Sequence, residues 1–220
     1  MFESVHQLFS RTASRLAGST AVDAGRRSIT YGELDARSDR IGRALRGAGV
    51  SKGVIVGILA GEPIEVIMAI IGTLKAGAVF CPLDPTFPLK RLQVMVEGVQ
   101  PQFFIGDSRL VEKLVEITSG IITTGKVIVL DGGPVPSGSS FEIVRVSEPA
   151  WSSAEALATE SQPDDPCSIY FTSGSTGKPK AILGRLKGMD HFARWEAEAL
   201  GIGEGTRVSQ LASPSFDGFL

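Results

Sequence analysis

VIVGILAGEPIEVIMAIIGTLKAGAVFC, residues 54–81, is the stretch whose reading decides the fold. Val54 to Ala60 is a β-branched, apolar run of strand length. Glu62 to Lys75 follows, with acid in its first turn and an almost wholly apolar body, and Ala78 to Cys81 is a second short apolar run. Strands apolar on both sides, joined by a helix, form a βαβ unit in a sheet that is covered on both faces. The aliphatic residues Ile64 to Leu74 are too few to cross a bilayer, which takes about twenty, so they belong to a core helix.

The same alternation extends in both directions. Upstream, Val5, Leu8, Phe9, Thr12, Ala13 and Leu16 recur at helical spacing. Ala21 to Asp23 and Ser28 to Tyr31 flank a turn and predict a hairpin, and Leu34, Ile41, Ala44, Leu45 and Ala48 mark a second amphipathic helix that Gly49 can end. Downstream, the expected order is helix Leu89 to Gly98, strand Gln102 to Ile105, helix Ser108 to Thr118 and strand Lys126 to Leu130. Asp131 to Ser140 and Ser152 to Pro166 are polar connectors. Cys167 to Phe171 and Ala181 to Gly184 read as strands, Lys187 to Leu200 as a helix, and Val208 to Leu211 as a further strand. The expected class is α/β, mostly parallel sheets covered by helices. Ligands of such sheets bind beyond the strand C-termini.

Composition narrows the function. The chain has 220 residues, 43% hydrophobic and 21% charged, with a net charge of -2. That balance gives no basic surface for nucleic acid or an anionic membrane. Cys81 and Cys167 stand in apolar strand-like segments without metal-ligand spacing and read as buried free thiols. His6 and His191 stand apart from each other and from any metal pattern, and no metal site is expected. The N-terminus lacks the continuous apolar region of a signal peptide, so the cytoplasm is the default expectation.

One polar segment carries chemistry: YFTSGSTGKPK, Tyr170 to Lys180. Gly174 and Gly177 let the backbone approach a ligand closely. Thr172, Ser173, Ser175 and Thr176 supply hydroxyl donors, and Lys178 and Lys180 supply positive charge. Such a loop suits a polyphosphate, whose oxygens accept from several N–H and O–H groups at once. It is not a Walker A loop: the glycines are too close together, and Pro179 stands where the metal-binding hydroxyl should be. By composition alone it could also be an ordinary exposed loop.

The order of its residues resembles the phosphate loop of the adenylate-forming enzymes, which include acyl-CoA synthetases and the adenylation domains of nonribosomal peptide synthetases. Three further segments resemble that family in the same order. ITYGEL (Ile29 to Leu34) is similar to its early TYxEL motif. LKAGAVFCPLDP (Leu74 to Pro85), followed by RLQVMVEGVQPQFFIGD (Arg91 to Asp107), is similar to its LKAGxAYxPLDP motif and the RLxxMLxDxxPxxLLT stretch that follows it, and SFDGF (Ser215 to Phe219) resembles the FDxS motif of amino-acid-activating domains. The resemblance implies the N-terminal portion of the family's large domain over residues 1–220, a single incomplete domain without the later motifs, so that no catalytic residue falls in this stretch and the chain alone is expected to be inactive. It further implies ATP and Mg2+ as cofactors and Thr172, Ser173, Gly174, Ser175, Thr176, Gly177, Lys178 and Lys180 as the ATP phosphate site. Asp217 would pair with a substrate amino group, and a phosphopantetheine arm on a peptidyl carrier protein would accept the activated amino acid.

Ala181 replaces the usual Gly after the loop, and Gly218-Phe219 replaces the usual residues after the FD pair. These departures bear on the substrate more than on the fold. Two alternatives stay open: an acyl-CoA or aryl-acid ligase, which would not need Asp217, and a noncatalytic remnant that binds a nucleotide or a partner.

Overall fold

The computed structural model describes residues 2–137, 140–146, 157, 160–172, 179–210, 212, 213 and 215. The chain opens with helix α1 (Val5–Arg15), hairpin strands β1 (Thr20–Asp23) and β2 (Ser28–Thr30), and helix α2 (Tyr31–Gly47). A capping box starts α2: the Glu33 N–H donates to Thr30 Oγ1 at 3.2 Å, and the Thr30 N–H donates to Glu33 Oε2 at 3.0 Å. Thus the Thr and Glu of ITYGEL act as a helix start. Gly49, just past the end of α2, has φ of 104°, a conformation that a side chain would strain.

The central unit then runs β3 (Ile55–Leu59), α3 (Pro63–Lys75), β4 (Val79–Pro82), α4 (Leu89–Val99), β5 (Phe103–Gly106), a 3-10 turn (Ser108–Leu110), α5 (Val111–Thr118) and β6 (Gly125–Val129). Strands β7 (Phe141–Arg145), β8 (Pro166–Thr172) and β9 (Lys180–Arg185) follow, then α6 (Leu186–Ala199). Seven strands form one sheet in the order β7-β6-β5-β3-β4-β8-β9. Every pairing is parallel except β8 with β9.

Alternation along the strands separates two cores. Phe80, Ile105, Ile128 and Tyr170 face the layer that holds α2 and α3, with Ile41, Leu45, Ile64 and Met68. Their strand neighbours Val79, Cys81, Phe104, Val127, Val129, Ile169 and Phe171 face α4 and α5, with Leu92, Met95, Leu114 and Ile117. The sheet is therefore buried on both faces, which is why its strands read as continuous apolar runs. On the first face α2 and α3 approach closely at Gly72, where a Cβ would lie 2.7 Å from Ile41 and 2.9 Å from the Ser38 carbonyl oxygen. Lys75, 5% exposed at the end of α3, reaches the carboxylates of Asp35 and Asp39, each at 2.6 Å.

Two elements differ from the sequence reading. Strand β7 was not expected; it adds to the sheet by pairing in parallel with β6, with Phe141 buried and Glu142 exposed. Val208 to Gln210, expected as a strand, forms no ladder, and Val208 is 65% exposed. A β-branched run becomes a strand only where an edge accepts it, and this one lines a cavity instead. Leu211 lies outside the described residues. Among the described residues no helix is long and apolar enough to cross a membrane, and α3 is a core helix as its length implied.

Candidate functional site

The topology creates a crevice at the C-terminal edge of the sheet. From β3 the chain leaves into α3 on one face, whereas from the adjacent β5 it leaves into α5 on the other. Neighbouring strands whose connections diverge leave a gap between their loops. The gap is spanned by the Gly61 N–H, which donates to Asp107 Oδ2 at 3.1 Å. Burial pushes the Asp107 carboxyl above its ordinary range; the Gly61 hydrogen bond opposes this, and the nearby charge of Glu65 adds to it.

Beside this gap, Asp84 follows the end of β4 by two residues, and both of its carboxylate oxygens accept hydrogen bonds. Thr86 donates to Oδ1 from both its N–H (2.8 Å) and its hydroxyl (2.6 Å), and the Ser213 hydroxyl donates to Oδ2 at 2.5 Å. The Asp84 N–H donates to Ser215 Oγ at 2.8 Å, and that hydroxyl donates on to the Pro82 carbonyl at 3.1 Å. Asp84 and Ser215 are both buried. Burial alone would raise the Asp84 carboxyl, but the donors from Ser213 and Thr86 prevail and hold it below the usual carboxylate range. A cavity of about 830 Å³ opens next to this cluster, lined among others by Tyr31, Gly61, Asp84, Thr86, Arg207 and Gln210.

Strands β8 and β9 carry the ends of the Ser/Thr/Gly/Lys loop to the same edge. Thr172 is paired opposite Lys180, and both are exposed at the end of this antiparallel hairpin where the chain passes from β8 to β9. Because β8 runs parallel to β4, with Ser168 opposite Phe80, Thr172 and Lys180 lie at the end of the sheet where β4 leads to Asp84. The arrangement is strand, loop, strand, as the sequence implied, in contrast to the strand, loop, helix of a Walker site. Ser173, Gly174, Ser175, Thr176, Gly177, Lys178 and Asp217 lie outside the described residues. Asp84, Ser213 and Ser215 were not singled out from the sequence. The available signal is an acid two residues after a fully buried strand, a place where a charge needs partners.

The two cysteines are withdrawn from chemistry. Burial pushes the Cys81 thiol up to about 12 and the Cys167 thiol up to about 11, so neither forms the reactive thiolate. Both are free and buried, as expected. His6 is buried, and His191 is exposed. Among the described residues no group of three His, Cys, Asp or Glu side chains could hold a metal ion.

A mostly parallel seven-stranded sheet covered by helices on both faces, with a cavity near the C-terminal ends of its strands, defines the class of architecture as α/β. The chain belongs to the AMP-binding enzyme family, whose model matches residues 9–218. It is 30% identical to tyrocidine synthase 3 of Brevibacillus parabrevis over 99% of its own length, yet spans only 3% of that protein. Among solved structures, a putative long-chain-fatty-acid CoA ligase from Rhodopseudomonas palustris superposes with a TM-score of 0.76 at 18% identity, covering 92% of this chain and 49% of the ligase. A nonribosomal peptide synthetase superposes at 0.75 and 24% identity, covering 98% of this chain and 20% of the synthetase. These two likenesses establish the fold.

Proposed function

We propose that this chain is the N-terminal part of an adenylation domain that activates an amino-acid carboxylate with ATP and passes it, as aminoacyl-adenylate, to a phosphopantetheine carrier. The observation that carries the reading is the SGSTGKPK sequence between β8 and β9, whose flanking pair Thr172 and Lys180 lies at the sheet edge where such folds bind ligands. The sequence likeness to tyrocidine synthase 3 supports a peptide synthetase over other members of the family.

In this reading the substrate carboxylate attacks the α-phosphate of ATP and pyrophosphate leaves, so charge builds on phosphate oxygens. The protein's part is to hold donors where that charge develops. The hydroxyls and amides of residues 172–177 and the ammonium groups of Lys178 and Lys180 have the chemistry to bind the departing pyrophosphate. Mg2+, which the nucleotide would bring on its phosphates, would supply further positive charge there. Asp217 offers a carboxylate to the α-ammonium of an amino acid. The activity belongs to the protein in full, including the carrier that accepts the product.

The test is Asp217→Ala in the full-length protein, followed by pyrophosphate exchange. Amino acids should lose far more activity than the matching carboxylic acids without the amine, because only the former present a cation left unpaired. Equal losses for both would refute amino-acid activation and favour an acyl or aryl ligase.

A further inference from the structure

The cavity of about 830 Å³ beside Asp84 has no part in the reading above, which draws on residues 172–180 and on Asp217. Its size falls in the range of small-molecule pockets, about 300 to 1,000 Å³. It is walled by strand β1, the residues that lead from β3 into α3, the loop after β4, and residues 206–210. Ala21, Val22, Ala60, Val66 and Ile67 give this wall apolar surface, which gains by being taken out of water.

Among the described residues the charged side chains of the lining are Asp23, Asp84 and Arg207, and each is already engaged. Arg207 donates to Asp23 Oδ2 at 2.8 Å, and the Gly25 N–H donates to Asp23 Oδ1 at 3.0 Å. Thr86 and Ser213 occupy the two oxygens of Asp84. With two carboxylates against one guanidinium, the wall repels an anion, and it holds no acid free to receive a cation. Two neutral groups are unused: the Tyr31 hydroxyl and the Gln210 amide have no hydrogen-bond partner among the described residues. A ligand that covers such groups must bring partners for them, because a polar group buried without one is costly. We infer that the cavity binds a neutral amphipathic molecule, with an apolar body against Val66 and Ile67 and amide groups for Tyr31 and Gln210.

The probe is N-acetyl-leucine-N-methylamide, which has two amides, an isobutyl group and no charge. Saturation-transfer NMR with the full-length protein should give a dissociation constant of about a millimolar, the scale for a ligand of about 13 heavy atoms. N-acetyl-leucine, an anion, and leucine N-methylamide, a cation, should each bind about tenfold more weakly, since each must carry a charge out of water towards a wall with no free counter-charge. Tyr31→Phe keeps the ring and removes only the hydroxyl, so it should weaken the neutral probe about fivefold, the scale of one neutral hydrogen bond. Ile67→Trp puts an indole into the cavity and should abolish the transfer, with a thermal transition showing that the variant is folded.

Equal binding of the three probes would overturn the inference, because charge would then decide nothing. Unchanged binding of the neutral probe in Tyr31→Phe and Ile67→Trp would place it elsewhere on the protein and overturn the inference as well. Absence of transfer in the native protein would show that the cavity takes no such ligand. If Ile67→Trp does not fold, Gln210→Ala replaces it: Gln210 is exposed, and loss of its amide should weaken the neutral probe about fivefold. The adenylation reading is tested by pyrophosphate exchange and the cavity by direct binding, so each can fail alone.

Discussion

Between pH 7 and pH 5, acidification should destabilise this fold through His6. The imidazole sits on α1 at 6% exposure, with Ser4 Oγ at 3.2 Å and Ser161 Oγ at 3.3 Å. Burial, and then the positive charge of Lys75, lowers its pKa from 6.5 to about 4. The folded state therefore keeps the ring neutral over a range in which the unfolded chain takes up a proton. Between those two values the unfolded state binds more protons, so stability rises with pH and is lost as pH falls from about 6.5 towards about 4. A shift of that size corresponds to about 3 kcal/mol in full, of which about 2 kcal/mol is lost between pH 7 and pH 5. Urea unfolding of native protein and His6→Gln at both pH values measures it. The variant keeps hydrogen-bonding groups but does not titrate, so its stability should depend on pH less than the native protein's by about 2 kcal/mol. Equal pH dependence in the two proteins would refute the reasoning, because carboxylates that titrate in both cancel in the comparison.

Two other perturbations probe the loop and the packing. Lys178→Ala combined with Lys180→Ala should weaken ATP-dependent adenylation in the full-length protein, each lost charge-assisted contact costing about 1.5 to 3 kcal/mol; unchanged pyrophosphate exchange would contradict the phosphate assignment. Gly72→Ala places a methyl 2.7 Å from Ile41 and 2.9 Å from a backbone oxygen of α2, so it should lower stability by about 1 to 3 kcal/mol. A melting temperature equal to that of the native protein would show that the two helices can separate without cost.

The core of the fold was legible because burial on both faces leaves an unmistakable mark. The runs around β3, β4, β5 and β6 are apolar without alternation, and the helices between them carry apolar periodicity, so the βαβ order followed directly. Strand β7 escaped notice because FEIVR is short, lies at an edge and follows a Gly- and Pro-rich connector, so its local signal resembles loop. Val208 to Gln210 misled in the opposite sense: β-propensity is local, whereas strand formation needs a neighbouring edge.

From the sequence alone came the α/β class, the phosphate-type loop and its difference from a Walker site, all encoded in short runs where residue type and spacing are the physics. Tertiary structure alone decided the strand order, and with it the divergence of connections after β3 and β5 that opens the crevice. It also decided that Ser213 and Ser215 meet Asp84. No local pattern could announce that meeting, because a hydrogen bond between residues about 130 positions apart depends on how the sheet stacks its strands, and periodicity carries no record of which strand lies beside which.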